Sequence, residues 1–331
     1  MRFVLPLVAA SALLVACGGG SDSTPAGSSP LAATQATLTS ANYVAVAQET
    51  LSSSAYLADA TGLVTGAQVS DSETLIRFGQ GQLPKLPRWL ADAPVQAVGA
   101  VQSQTENCEG GGTLTISVND ANGNLREDAG DSATLTANNC SFEGAFLNGQ
   151  LVLTLNSVTG NPDYFPYSLS VTLGFNNLTA QSSSLRTVGN GSVALSINAR
   201  ATNNQSLVLR ASSLSLSSTY GATTYNKTLT GYETSVELIP AASGFTSTTS
   251  VNGALSSSAF ESKSISIATL TPFVRTNAQT YPSSGQLVIT GAAGGKVRVT
   301  GTSATTMLIE LDADANGSYE NSTSKRWSEM L

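Results

Sequence analysis

The chain has 331 residues, a net charge of −7 and no histidine, and only 11% of its residues are charged, against about 25% in a typical soluble domain. An acidic chain without basic clusters is a poor partner for nucleic acid and for anionic membrane surfaces. The missing histidine removes Ser-His-Asp triads, Cys-His nucleophiles and histidine-ligated zinc or haem. Because 41% of residues are apolar and follow regular patterns, the composition predicts a folded body with a Ser/Thr/Asn/Gln surface, not a disordered chain.

Met1 and Arg2 precede an apolar run, FVLPLVAASALLVA at 3–16, which suits a signal-peptide core and is too short to cross a bilayer as a helix. It ends in Leu14-Val15-Ala16-Cys17. This resembles the lipobox of bacterial lipoproteins. The resemblance implies cleavage after residue 16, a diacylglycerol on the Cys17 thiol and acylation of its new amino group. One acyl chain holds only reversibly at about 0.8 kcal/mol per buried CH₂, whereas three give a stable anchor to the membrane. The alternative is an ordinary secretory peptide with a stray cysteine.

Residues 17–35 then read as the lipidated cysteine and a flexible tether, with GGGSDSTPAGSSP at 18–30 too poor in apolar residues to bury a core. In that family an Asp after the cysteine favours the inner membrane; Gly18 in its place implies the outer membrane.

Residues 36–94 read as a helical segment. Tyr43, Val46, Ala47, Thr50, Leu51 and Leu57 recur at helical spacing, and Ser40 or Asn42 could cap the start. A second helix is expected from Ser70, where Ser70 and Glu73 have capping-box spacing. Pro84 and Pro87 are expected to end it in an irregular connector, LPKLPRWL.

Residues 95–331 switch to a period of two. LVLTLNSV (151–158), SLSVTLGF (168–175), SVALSINA (192–199), SISIATL (264–270) and MLIEL (307–311) alternate apolar residues with Ser, Thr or Asn, the pattern of half-buried antiparallel strands. About a dozen strands are expected in a mainly β fold, a large antiparallel meander curling into a barrel, half-barrel or sandwich. Asn148-Gly149, Asn190-Gly191 and Asn252-Gly253, echoed by Ser284-Gly285, are read as hairpin turns between strands. Few aromatics, 6% of residues, and the redundancy of a lipid anchor speak against a transmembrane barrel. Cys108 and Cys140, an even pair once Cys17 is lipidated, are expected to form a disulfide in an oxidising compartment, with a loop-entropy contribution of roughly 3.7 kcal/mol.

Two acidic stretches carry candidate chemistry. In NDANGNLREDAGD (119–131), oxygen side chains of Asp120, Asn122, Asn124, Asp128 and Asp131 fall at positions one, three, five, nine and twelve of a calcium loop. Leu125 sits where such loops carry Gly, and the flanks are strands. In the second, Asp312, Asp314 and Asn316 precede Gly317, with Glu320 at position nine. The same residue types also build plain turns. Structural calcium is the expected cofactor.

The stretch from Cys108 to Ile116, the acidic loop, Asn138-Asn139-Cys140 and the closing Asp-rich loop before Trp327 resemble uncharacterised lipoproteins of Gram-negative bacteria. That resemblance implies address and architecture but brings no activity. The expected function is a non-enzymatic lipoprotein of the outer membrane that binds a hydrophobic ligand or an envelope protein or glycan. The rival is a polysaccharide hydrolase using two carboxylates from among Glu106, Glu109, Glu143, Glu233, Glu237 and Glu261, about 5–10 Å apart.

Overall fold

A computed structural model describes residues 34–59, 73–91, 101–162, 164–242, 244–276 and 278–331. The signal sequence, Cys17, nearly all of the tether and Ser70 lie outside these residues.

Among the described residues three helices precede the sheet: α1 (Tyr43–Asp59), α2 (Glu73–Gln82) and α3 (Leu86–Ala91). LPKLPRWL is not an irregular connector. Pro84 falls in a 3₁₀ turn, Leu83–Lys85, and Pro87 in the first turn of α3. A proline there loses no hydrogen bond, since the first-turn N–H groups have no intrahelical acceptor.

Fourteen strands follow: β1 (Val101–Asn107), β2 (Thr113–Asn119), β3 (Ser132–Phe142), β4 (Ala145–Thr159), β5 (Tyr167–Gln181), β6 (Leu185–Ala201), β7 (Asn204–Tyr220), β8 (Thr223–Ala241), β9 (Gly244–Ser257), β10 (Lys263–Thr276), β11 (Ser284–Thr290), β12 (Lys296–Gly301), β13 (Thr306–Asp312) and β14 (Asn321–Arg326). They form one antiparallel meander in chain order, open and not closed into a barrel. Short connections between neighbours make this order the natural one.

The period-two pattern buries one face. Leu151, Leu153, Val171, Leu173, Val193, Leu209, Ile289, Val297 and Ile309 are fully buried. They join residues of all three helices in one continuous core. α1 is fastened to the sheet by a polar seam: Ser54 Oγ lies 2.7 Å from the Tyr232 hydroxyl, Lys227 pairs with Glu49 at 3.1 Å, and Ser257 Oγ donates to Glu49 at 2.7 Å. The segment before α1 joins β10, with the Ala36 N–H donating to the Ser264 carbonyl at 2.8 Å.

The Asn-Gly pairs are not hairpin turns. Asn148-Gly149, Asn190-Gly191 and Asn252-Gly253 lie inside β4, β6 and β9. Each works with a bulge on a neighbouring strand. The Asn139 N–H on β3 donates to Asn148 Oδ1 at 2.9 Å, and the Asn177 N–H on β5 donates to Asn190 Oδ1 at 2.9 Å. Asn139 and Asn177 both take positive φ, 50° and 48°. Gly149 and Gly191 (φ 103° and 112°) press against the bulge on the other side, so closely that a Cβ would stand 2.3 Å from the Asn177 carbonyl oxygen and 2.1 Å from that of Ser213. On β9 the pair serves β10 with its Asn and β8 with its Gly, the reverse order, because β9 runs opposite to β4 and β6.

The bulges keep the core face continuous. On β5 burial runs Val171, Leu173, Phe175, skips exposed Asn176 and Asn177, and resumes at Leu178 and Ala180. One extra residue shifts the alternation by one, so the apolar set stays inside while the strand bends.

The two edges are blunted. β1 sets Gln104 and Glu106 opposite Ile116 and Leu114, and β14 sets Thr323 and Lys325 opposite Ile309 and Met307. Polar and charged residues on the inner side of an edge discourage further strand pairing. Cys108 and Cys140 are disulfide-bonded, with Cα atoms 5.4 Å apart.

Candidate metal centre

The two acidic stretches are the β2–β3 and β13–β14 connections. Both are built the same way. In the first, Asn122 Oδ1 accepts from the Asn124 N–H and Asn124 Oδ1 from the Arg126 N–H. In the second, Asp314 Oδ1 accepts from the Asn316 N–H and Asn316 Oδ1 from the Ser318 N–H. Such Asx turns wind the backbone by letting each side chain hold a residue two further on. The sixth position is left-handed in both, Leu125 at φ 59° and Gly317 at φ 89°.

The leading Asp of each ladder is buried. Asp312 accepts from the Asn316 and Gly317 N–H groups at 3.1 and 3.0 Å. Asp120 accepts from Gly123 at 2.6 Å and Leu125 at 2.7 Å. Burial works to raise the Asp120 pKa, but the backbone N–H groups of Leu125, Gly123, Asn122 and Asn124 outweigh it and hold the carboxyl below its ordinary value.

The loops differ in what converges. Among the described residues, the carboxylates of Asp312, Asp314 and Glu320 come together, with ligand atoms within 4.8 Å of one another. Three carboxylates at that spacing offer hard oxygen ligands, the donor set of calcium or magnesium and not of zinc or copper. Asn316 is engaged in the turn itself, its Nδ2 donating to Asp314 at 2.9 Å. Tyr319 lies over the Arg298 guanidinium, 3.9 Å from the ring centroid, and Arg298 Nε donates to Glu310 at 2.8 Å. This brace fixes the loop against β12 and β13; no sequence pattern announces it.

In the first loop the acidic groups bond the loop's own donors. Asp131 accepts from the Ala121 and Asp128 N–H groups, and Asp128 from the side-chain amides of Asn122 and Asn124. Those two amides lead the causes that lower the Asp128 pKa, with Arg126 a smaller one.

Of the acids considered for hydrolysis, Glu143 pairs with Arg77, Glu233 with Arg210 at 2.7 Å and Glu261 with Lys263 at 2.6 Å. Glu106 takes a long contact from Gln104 on the edge strand, and Glu109 and Glu237 are exposed.

No family model matches the chain, and neither the curated proteins nor the solved structures give a significant match. Fold and loops define a class by themselves: an open one-sheet antiparallel β protein with Asx-turn acidic loops at two hairpin ends.

Proposed function

We propose that this chain is a non-enzymatic lipoprotein of the outer membrane, anchored through Cys17, whose sheet is an interaction module stiffened by calcium. The observation that carries the metal reading is the Asp312–Asp314–Glu320 triad. Three like charges within a few ångströms repel unless a cation or a proton intervenes. The loop backbone holds all three acids in place: the Asn316 N–H donates to Asp312 and Asp314, the Gly317 N–H to Asp312 and the Ala313 N–H to Glu320. A divalent ion would complete its shell with water, which suits the weak, about 10⁻⁴–10⁻³ M, sites of extracellular modules.

The apolar face is filled by the chain's own Val46, Ala47, Leu51, Leu75 and Phe78. This favours a surface that recognises an envelope protein or glycan over a carrier for a hydrophobic guest. Across the outer face hydroxyls and amides pair between strands, as Asn156 does with Thr172 at 3.0 Å and Ser215 with Thr228 at 3.2 Å.

Two measurements test the reading. Millimolar calcium should raise the melting midpoint over that in EDTA, and Asp312→Asn should abolish the difference; equal midpoints, with no heat of calcium binding, would remove the metal. Cys17→Ala should move the protein from the membrane fraction to the soluble one. Continued sedimentation with membranes would remove the anchor.

A further inference from the structure

The first edge of the sheet is covered by a polar strand, held to its one neighbour by a backbone ladder and by two hydroxyl pairs, Thr105 with Thr115 at 3.1 Å and Ser117 with Ser103 at 3.2 Å. Among the described residues β1 pairs with β2 alone, through seven register pairs, and Ser103, Gln104, Thr105 and Asn107 are exposed. The strand behind it differs: Leu114, Ile116 and Val118 of β2 all lie in the core. A bared edge with an alternating apolar face readily accepts another strand. A covalent bond adds to that ladder. Cys108 follows its last residue and is bonded to Cys140 of β3, two strands further in. Cys140 is buried, and Cys108 is the partly exposed member.

We propose that the Cys108–Cys140 bond is a redox-controlled clasp: a dithiol opens it, β1 leaves, and the bared β2 edge pairs with the same edge of a second copy. The attacking thiolate forms a mixed disulfide at Cys108 Sγ and displaces Cys140 as a thiolate, which takes up a proton. The second thiol of the reductant then attacks its own sulfur in that mixed disulfide and releases Cys108. One disulfide becomes two thiols while the dithiol becomes one disulfide, so no other electron source is needed. The sequence of β2 selects a second copy as occupant. Antiparallel pairing centred on Ile116 sets Leu114 opposite Val118 of the second copy, with every apolar residue on one face, a self-complementary two-fold interface. The inference stands apart from the calcium and anchor readings.

The test uses the full chain carrying Cys17→Ala, treated with dithiothreitol under native conditions. Thiol alkylation confirms reduction, amide exchange reports on β1, and light scattering gives the molar mass. The expected result is loss of protection at 101–107 with β6 and β7 still protected, a mass twice that of the oxidised protein, and reversal on reoxidation. Either of two results overturns the proposal: a reduced protein whose β1 stays protected, or one whose β1 exchanges while the mass is unchanged. The double variant Cys108→Ser/Cys140→Ser should pair without reductant. Should it fail to fold, the reduced parent chain still decides.

Discussion

Replacing Gly149 with alanine tests whether the Asn-Gly pairs are bend points. The residue sits in β4 at φ 103°, and a Cβ there would lie 2.3 Å from the Asn177 carbonyl oxygen and 2.8 Å from its carbon. Holding an L-residue in that backbone region costs about 1–3 kcal/mol. The clash is with backbone on β5, so no rotamer relieves it, and overpacking of this kind adds about 1–3 kcal/mol. Reduced freedom of the unfolded chain returns only about 0.4–1 kcal/mol. The expected net loss is about 3 kcal/mol, a large part of the roughly 5–15 kcal/mol that holds a domain folded.

Gly174→Ala is the matched control. It lies on β5 with ordinary backbone, and its Cβ would meet nothing nearer than Val152 Cβ at 3.6 Å, so it should be neutral or stabilising by about 0.5 kcal/mol. Urea unfolding followed by circular dichroism and tryptophan fluorescence reads both, since Trp89 of α3 and Trp327 after β14 are buried. If Gly149→Ala unfolds within about 0.5 kcal/mol of the parent, the bend-point argument is wrong.

Asn148→Ala removes the acceptor for the Asn139 N–H and should cost about 1 kcal/mol, read from the same urea curves. Tyr232→Phe removes one member of the seam under α1 but leaves Ser54 bonded to the Thr50 carbonyl at 2.7 Å, so a loss near 1 kcal/mol is expected. In the parent, burial pushes the Tyr232 hydroxyl pKa well up, and alkaline absorbance titration should show one tyrosine ionising only as the fold is lost. Asp120 and Asp128 have folded pKa values below their ordinary ones. Their stabilisation is therefore complete above the ordinary carboxylate range near pH 4 and is lost as pH falls through the lowered values. Carboxyl chemical shifts of the two residues, followed downward from pH 5, should titrate late; midpoints at or above the ordinary value would refute the network assigned to them.

Much of the architecture can be read from local pattern. Alternation such as Leu151, Leu153, Leu155 fixes both strand and buried face, because side chains on a strand point to opposite sides. Tyr43, Val46, Ala47 and Leu51 mark α1 by the same logic at helical spacing. The Asn-Gly pairs are where that logic misled. A glycine with positive φ is needed both in a tight turn and opposite a bulge, and only the paired strand decides between them. In LPKLPRWL, Pro84 follows the end of α2 as expected, but Pro87 opens α3 in place of an irregular connector, since a proline that would end a helix from within fits its first turn.

The acidic loops divide similarly. Spacing marks both stretches as oxygen-rich connections and offers Asp312, Asp314, Asn316 and Glu320 as ligands on the same footing as Asp120, Asn122, Asn124, Asp128 and Asp131. That Asp312, Asp314 and Glu320 converge while Asp120, Asp128 and Asp131 bond their own loop depends on hydrogen bonds and on the brace of Tyr319 over Arg298.

By itself, then, the sequence determined strand, helix, buried face and the oxygen-rich character of two loops, all of which arise from neighbours a few residues apart. The tertiary structure decided that fourteen strands stay in chain order without closing, which glycines bend them, and which carboxylates meet. Those outcomes depend on contacts between residues distant in the chain, whose geometry no local pattern encodes.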